Sequence, residues 1–223
     1  MRVTGHYVVF ESVGEAVLKP FAVPEPGSGE AVIATDYSVI SAGTERANLM
    51  NLPNTSGGFP YRPGYCGVGR VIGVGAEVEG VSVGDRVLID RGGHRSHVVQ
   101  RAAELTVVED DRVEDLEAAF VAIAAMGLQG VRKLRLELGE SAMVIGLGLL
   151  GTFATQLARI DGAIPVIVSD FDQKRRELAL SLGADHAFAP DEEDLAGKIR
   201  ALTGGRGPDA IVEVTGAAVA LQD

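Results

Sequence analysis

The sequence is poor in cysteine, in basic residues and in long apolar runs. Its 223 residues include one cysteine, Cys66, and no tryptophan. A single cysteine excludes an internal disulfide and a cysteine-rich zinc site. Lys and Arg number 20 against 31 Asp and Glu, for a formal net charge of −11. This deficit argues against nucleic acid or an anionic membrane as a partner, because both need clustered cations.

No apolar run approaches the length that a membrane-spanning helix needs, and no charged region followed by an apolar helix opens the chain. We therefore expect a cytoplasmic protein whose partner is a small-molecule substrate. With 46% apolar residues, the chain has enough hydrophobic material for a substantial core.

Short β segments separated by Gly, Pro and acidic turns fill the first half of the chain, and this spacing predicts a barrel or sandwich. The predicted strands are residues 7–10, 30–34, 68–74, 86–89, 97–100 and 105–108. From Val113 onwards apolar residues recur at helical intervals instead. We therefore expect a β domain over residues 1–115 and a different domain over residues 116–223.

Strands and helices alternate in the second half, which predicts a parallel sheet with right-handed crossovers. The predicted strands are 142–145, 164–169, 186–188 and 210–214, and the helices begin near Leu149, Gln173 and Leu195. A doubly wound dinucleotide fold uses six strands. Because only four are present, we expect that a further C-terminal part is missing from this sequence.

A glycine-rich turn follows the first of these strands and opens a helix. Gly146 permits the tight turn, Gly148 lets a pyrophosphate approach the backbone, and Gly151 allows close packing of the helix on the sheet. The helix N-terminus offers free N–H groups to phosphates. The predicted dinucleotide-binding segment is Gly146, Leu147, Gly148, Leu149, Leu150 and Gly151.

An acidic residue, Asp170, ends the second predicted strand about 20 residues beyond the last glycine, where a carboxylate can accept both ribose hydroxyls. It also repels a 2′-phosphate, so NAD is favoured over NADP. Arg175 and Arg176 keep NADP open as the alternative, because an arginine near the ribose can hold a phosphate. At the end of the last strand, Val214, Thr215 and Gly216 are expected to line the same cleft.

Two motifs make the chain resemble the medium-chain dehydrogenase/reductase superfamily, the alcohol dehydrogenase-like enzymes. The first motif is Gly67-x-Gly69-x-Val71-x-x-Val74-Gly75-x-x-Val78 with Gly84-Asp85-Arg86-Val87, and the second is the glycine turn with Asp170, Arg175 and Leu182-Gly183-Ala184-Asp185. The resemblance implies a GroES-like β-barrel domain followed by a Rossmann NAD-binding domain that is truncated at its C-terminus. In this superfamily pairing of two copies is common, so a homodimer is one open assembly.

Zinc-dependent members carry Cys-Gly-Thr-Asp and Gly-His-Glu, whereas this chain has Ala42-Gly43-Thr44-Glu45 and Gly64-Tyr65-Cys66. Two of three ligands are lost, so we predict no metal site. The segment 41–46 is most similar to a zinc-free branch that includes bacteriochlorophyllide-type hydroxyethyl dehydrogenases, a loose resemblance that names no substrate.

Without zinc, another group must hold and protonate the developing alkoxide or enolate. The resemblance makes Thr44 a proton-relay hydroxyl, with a turn hydroxyl as the alternative. Tyr65 stands in place of a zinc ligand, so its phenol is a candidate hydrogen-bond donor or a space-filling aromatic. His94, or His97 after it, could move a proton near neutral pH, although a surface histidine is the commoner case in a glycine-flanked loop.

Three functions fit these residues. The first is a zinc-independent oxidoreductase that transfers a hydride between NAD(H) and a small or medium alcohol or carbonyl substrate. The second is an NADPH-dependent enone or quinone reductase, a reaction common among zinc-free relatives. The third is a non-catalytic dinucleotide-binding protein.

Overall fold

The computed structural model describes residues 3–53, 55, 57–217 and 220. The chain forms two compact units, Met1–Ala122 and Ile123–Asp223. The first unit contains β sheets with short helices, and the second contains a parallel sheet with helices between its strands. The expected α/β plus β architecture is therefore confirmed. No helix in the described ranges is both long enough and apolar enough to cross a membrane.

The first unit contains a five-stranded antiparallel sheet in the order β6-β3-β4-β5-β7 and a two-stranded antiparallel sheet, β1-β2. The strands are β1 Thr4–Ser12, β2 Glu15–Ala22, β3 Glu30–Ser38, β4 Cys66–Val74, β5 Arg86–Asp90, β6 His97–Arg101 and β7 Thr106–Val107. All six predicted strands are present. β2 escaped prediction because its side chains are largely exposed and Pro20 interrupts its pattern, which is tolerated at the edge of a sheet.

One apolar core cluster of the first unit is built on the larger sheet. Ile33, Val71 and Val87 are fully buried there. Gly69 on β4 lets β3 approach closely, because a Cβ at this position would lie 2.2 Å from the carbonyl oxygen of Ala34. The expectation that glycines thin this strand is therefore confirmed at Gly69.

Two short helices complete the first unit, α1 Ala42–Leu49 and α2 Asp115–Ala119. The segment 41–46, read from the sequence as a turn, is the start of α1. α2 packs on β3, β4 and β5, and the backbone N–H of Glu114 donates to the Glu117 carboxylate at its N-terminus (3.0 Å). The contacts of α2 place the division of the chain after Ala122, beyond the expected position after residue 115.

The second unit is a four-stranded parallel sheet in the order β10-β9-β8-β11. Its elements are α3 Val121–Leu134, which begins in the first unit, β8 Ala142–Ile145, α4 Leu149–Ile160, β9 Val166–Ser169, α5 Gln173–Ser181, β10 His186–Phe188, α6 Leu195–Leu202 and β11 Ala210–Glu213. The predicted alternation of strands and helices is confirmed. The strand order reverses between β8 and β11, and in open α/β sheets ligands bind outside the strand ends at such a reversal.

Apolar side chains cover both faces of this sheet. Val144 and Val168 pack with Ala158 on one face, and Met143 and Ile167 pack with α6 on the other. A parallel sheet covered on both faces needs strands that are apolar throughout. This packing holds the carboxyl ends of β8 and β11 side by side, where the predicted cleft begins.

Candidate active site

The glycine turn after β8 is shaped by the protein's own packing at two positions. Gly146 has a φ of +93°, and a Cβ there would lie 2.7 Å from Cγ2 of Thr215. A Cβ on Gly151 would lie 1.8 Å from the carbonyl oxygen of Gly146. Both positions therefore require glycine for the fold itself, and they bring the turn against the segment that follows β11.

Gly148 differs from these two glycines. Its φ of −69° suits any residue, and no heavy atom lies within 4 Å of the position that a Cβ would take. Gly148 is also the N-cap of α4, and no side chain caps this helix. The turn therefore keeps open space beside a helix N-terminus, which is the arrangement that accommodates a phosphate group. Leu149 and Leu150 form the first turn of α4.

The segment after β11 is held by a residue that the sequence reading did not single out. One oxygen of the Glu213 carboxylate accepts from the backbone N–H of Thr215 (2.6 Å), from the Thr215 hydroxyl and from the N–H of Gly216 (3.2 Å). The Thr215 hydroxyl is the main reason that the pKa of Glu213 is lowered. Val214 contributes a methyl group 3.2 Å from the position of a Gly151 Cβ. The structure therefore places the predicted segment 214–216 beside the glycine turn.

Asp170, at the end of β9, is tied to the same turn. Its Oδ2 accepts from the N–H of Leu147 (2.7 Å), and its Oδ1 accepts from the N–H of Asp172 (2.8 Å). Arg175 lies 3.7 Å from Oδ2 with an exposed side chain, whereas Arg176 donates to the Asp170 backbone oxygen (2.6 Å). Each carboxylate oxygen keeps a further lone pair, so the side chain can still accept from a ribose hydroxyl.

In the first unit, His94 joins two other side chains in a hydrogen-bonded chain. Its Nδ1 lies 2.8 Å from Oγ of Ser38, and its Nε2 lies 2.8 Å from Oε2 of Glu45. Ser38 is exposed, whereas the side chains of His94 and Glu45 are 9% and 8% exposed. A carboxylate accepts only, so Nε2 carries a proton, and neutral Nδ1 can then accept from the serine. The chain runs from an exposed hydroxyl to a buried carboxylate.

α1 and a glycine fix this arrangement. Oε1 of Glu45 accepts from the N–H of Ser41, the N-cap of α1 (2.8 Å), so the carboxylate sits at the positive end of the helix. The N–H of His94 donates to the carbonyl oxygen of Pro63 (2.9 Å). Gly64 has a φ of +99°, and a Cβ there would lie 2.5 Å from the backbone nitrogen of His94. Only a glycine lets the two segments approach this closely.

In the described part of the protein, the other predicted catalytic residues are not part of the Ser38–His94–Glu45 hydrogen-bonded chain. Thr44 is exposed on α1, and its carbonyl oxygen accepts from the side chain of Asn48 (2.8 Å). Tyr65 is half-buried, and its backbone oxygen accepts from the N–H of Arg91 (2.8 Å). His97 Nδ1 lies 3.0 Å from Oγ of Ser96. Burial, with a smaller contribution from Glu45, raises the pKa of the Cys66 thiol, which disfavours a nucleophilic thiolate.

Comparison with known proteins finds dehydrogenases. A family model described as zinc-binding dehydrogenase matches residues 150–223. The L-threonine 3-dehydrogenase of Pyrococcus abyssi is 29% identical over 90% of this chain, which spans 66% of that protein's length. Over most of its length the chain is therefore similar to alcohol dehydrogenase-like enzymes of the medium-chain dehydrogenase/reductase superfamily.

Solved structures of the superfamily share the fold. A Sinorhizobium meliloti protein described as a zinc-binding dehydrogenase and bound to NADP superposes with a TM-score of 0.83 at 24% identity, covering 98% of this chain and 72% of its own. A quinone oxidoreductase of Pseudomonas syringae gives a TM-score of 0.76 at 25% identity, covering 93% and 65%. These likenesses place the sheets and the glycine turn in a known dehydrogenase architecture.

The zinc ion that the family description implies does not fit the residues present. Ala42 and Tyr65 stand at the expected ligand positions. Both ring nitrogens of His94 are already engaged by Ser38 and Glu45. Within residues 3–53, 55, 57–217 and 220, no three His, Cys, Asp or Glu side chains are grouped so that they could hold a metal ion.

Proposed function

We propose that this protein is a zinc-independent oxidoreductase that transfers a hydride between NAD(H) and a small or medium alcohol or carbonyl substrate. The single observation that carries the proposal is the chain Ser38–His94–Glu45. It supplies acid–base groups in a protein whose residues do not fit the metal that would otherwise stabilise the alkoxide. The non-catalytic alternative is disfavoured because a binding protein has no need of a histidine buried between a serine and a carboxylate.

The proton steps follow from the order of the three groups. In the oxidation direction the substrate hydroxyl gives its proton to Oγ of Ser38, while the serine proton passes to Nδ1 of His94. The Glu45 carboxylate stabilises the imidazolium that forms, as a carboxylate does in other hydrogen-bonded triads. The substrate carbon becomes a carbonyl as its hydride leaves, and reduction reverses every transfer.

The second unit fits a dinucleotide, which supplies the hydride acceptor or donor when it is bound. Gly148 leaves room for the pyrophosphate, and the uncapped N-terminus of α4 faces it with N–H groups. Asp170 accepts from the ribose hydroxyls. Thr215 and Gly216 line the cleft through their backbone, held by Glu213.

The test compares turnover and NAD binding in Ser38→Ala, Glu45→Gln and His94→Asn, with alcohols and their carbonyl products as substrates. Each substitution removes one member of the chain, so we expect kcat/KM to fall by about 10²–10⁴. NAD affinity should be unchanged within a factor of about two. Glu45→Gln can keep the bond from Ser41 but places an NH2 donor against His94 Nε2, so its loss of rate reports the carboxylate charge and the histidine tautomer together.

Glu104→Gln is the matched control, because this glutamate is 62% exposed and pairs with Arg101 at 3.8 Å. It should retain wild-type kinetics. Unchanged turnover in all three relay variants would refute the proton relay. Stoichiometric zinc together with loss of activity on chelation would refute zinc independence.

A second candidate is an NADPH-dependent enone or quinone reductase. The observation that favours it is Arg175, whose exposed guanidinium lies 3.7 Å from Asp170 and could turn toward a 2′-phosphate. A quinone oxidoreductase and an NADP-bound protein are also among its structural neighbours. The two candidates differ first in the preferred dinucleotide, because the Asp170 carboxylate repels the extra phosphate.

A further inference from the structure

Arg62 and Arg95 of the first unit have no acidic partner in the described part of the protein. Within residues 3–53, 55, 57–217 and 220, neither forms an ion pair with a carboxylate or a hydrogen bond through its guanidinium. Other arginines of the same unit, such as Arg86 and Arg112, do have aspartate partners.

The two arginines converge on one aromatic ring. Tyr7 and Arg95 are paired across an antiparallel bridge, flanked by bonds from Val8 N–H to the His94 oxygen and from Ser96 N–H to the His6 oxygen (both 2.8 Å). Side chains of such a directly opposed pair lie on the same face. Cζ of Arg62 lies 5.0 Å from the centroid of the Tyr7 ring. Tyr7 therefore holds both cations on one face of the bridge.

The Arg95 guanidinium contains a donor without a partner. Its Nε is buried without a hydrogen-bond partner, and a buried donor left unpaired costs free energy. Gly93 borders the guanidinium, since a Cβ there would lie 3.3 Å from Nε and 3.4 Å from Nη2. The edge that carries Nε and Nη2 is the one that binds a carboxylate or phosphate through two parallel bonds. Glycine leaves this edge clear of a neighbouring side chain.

The charges of Arg62 and Arg95 also favour a bound anion. Burial, followed by repulsion from Arg62, lowers the pKa of Arg95, while Tyr7 opposes this effect. Two guanidinium groups held together are stabilised when an anion lies between them.

We propose that Arg62 and Arg95, positioned by Tyr7, form a binding site for a carboxylate or phosphate group of a small molecule. The site does not depend on the proposed redox function. The side chain of His94 contacts Ser38 and Glu45, whereas Arg95 is paired with Tyr7 and lies near Arg62. The two groups share no residue, so the two proposals can fail separately.

The experiment titrates the full chain with inorganic phosphate and, in a second arm, with acetate, each against sodium chloride at equal ionic strength. Isothermal calorimetry and the thermal unfolding midpoint are the readouts. We expect saturable binding and a rise in the midpoint with at least one of the two anions, which also tells phosphate from carboxylate. Arg95→Gln and Arg62→Gln should each weaken binding about tenfold or more, since each removes charge-assisted hydrogen bonds.

Arg101→Gln is the matched control, because Arg101 is 77% exposed on the same unit and should bind the anion as the wild type does. If Arg95→Gln fails to fold, Arg62→Lys is the substitute variant. Lysine keeps the positive charge but lacks the planar guanidinium, so this variant should also bind the anion more weakly. Absence of saturable binding with both anions overturns the proposal. Equal binding by the Arg62 variants and the wild type overturns it as well.

Discussion

Substitution of Gly148 by alanine tests the effect of this glycine on dinucleotide binding separately from its effect on folding. Nothing lies within 4 Å of the position of the new Cβ, and the backbone at φ −69° and ψ −170° is extended, a conformation open to alanine. The protein should therefore fold normally. The pyrophosphate, however, would meet a methyl group where it approaches the backbone, so NAD should bind more weakly.

The expected magnitudes follow from these contacts. Alanine lowers the entropy of the unfolded chain, a gain of about 0.4–1 kcal/mol. The poorer N-cap preference of alanine offsets that gain, so the free energy of unfolding should change by less than about 1 kcal/mol. Loss of one or two charge-assisted bonds to phosphate costs about 1.5–3 kcal/mol each, or at least about tenfold in the NAD dissociation constant.

Gly151→Ala is the contrasting variant, because its Cβ would lie 1.8 Å from the Gly146 oxygen and the backbone must move. We expect it to lose about 1–3 kcal/mol or more of stability. Urea unfolding followed by circular dichroism gives the stabilities, and calorimetric titration gives NAD affinity. Wild-type NAD affinity in Gly148→Ala would refute the assignment of this turn to the pyrophosphate.

Two further predictions concern single aspartates. Asp170→Asn keeps the shape of the side chain and one acceptor oxygen but removes the charge, so the ratio of NAD to NADP affinity should fall about tenfold or more. An unchanged ratio, measured by calorimetry, would mean that Asp170 does not contact the ribose. Asp209 accepts from the hydroxyl and the N–H of Ser141 (2.7 and 2.8 Å), and the hydroxyl is the main reason that its pKa lies below the ordinary 3.8. A group whose pKa is lowered by folding stabilises the fold above its unfolded-state pKa, and this stabilisation is lost as pH falls. The thermal midpoint of Asp209→Asn should therefore be lower than that of the wild type at pH 7 and converge with it below about pH 3.8. A difference independent of pH would contradict this origin.

Much of the fold could be predicted because it depends on local patterns. All ten predicted strands are present, since each is an apolar segment between turn residues. The misses have local causes as well. β2 contains Pro20 and is largely exposed, so its sequence has no clear strand pattern. α1 has little amphipathic character, so its sequence has no clear helical pattern.

The candidate site was only partly predictable. His94 was identified as a candidate from its residue type. Its partners Ser38 and Glu45 were missed because they are 56 and 49 residues away along the chain and come from β3 and α1. Thr44 and Tyr65 stay candidates by resemblance, and the described structure does not connect them to the hydrogen-bonded chain.

The sequence by itself determined where the backbone turns in the glycine-rich segment after β8, and by resemblance it predicted that two zinc ligands are missing. Those features are encoded by the types of single residues, such as Gly146 for a positive φ and Ala42 for an absent donor. Only the tertiary structure decided which side chains act together. Ser38, His94 and Glu45 meet, and Arg62 and Arg95 share Tyr7, because strand pairing and helix packing bring distant segments into contact.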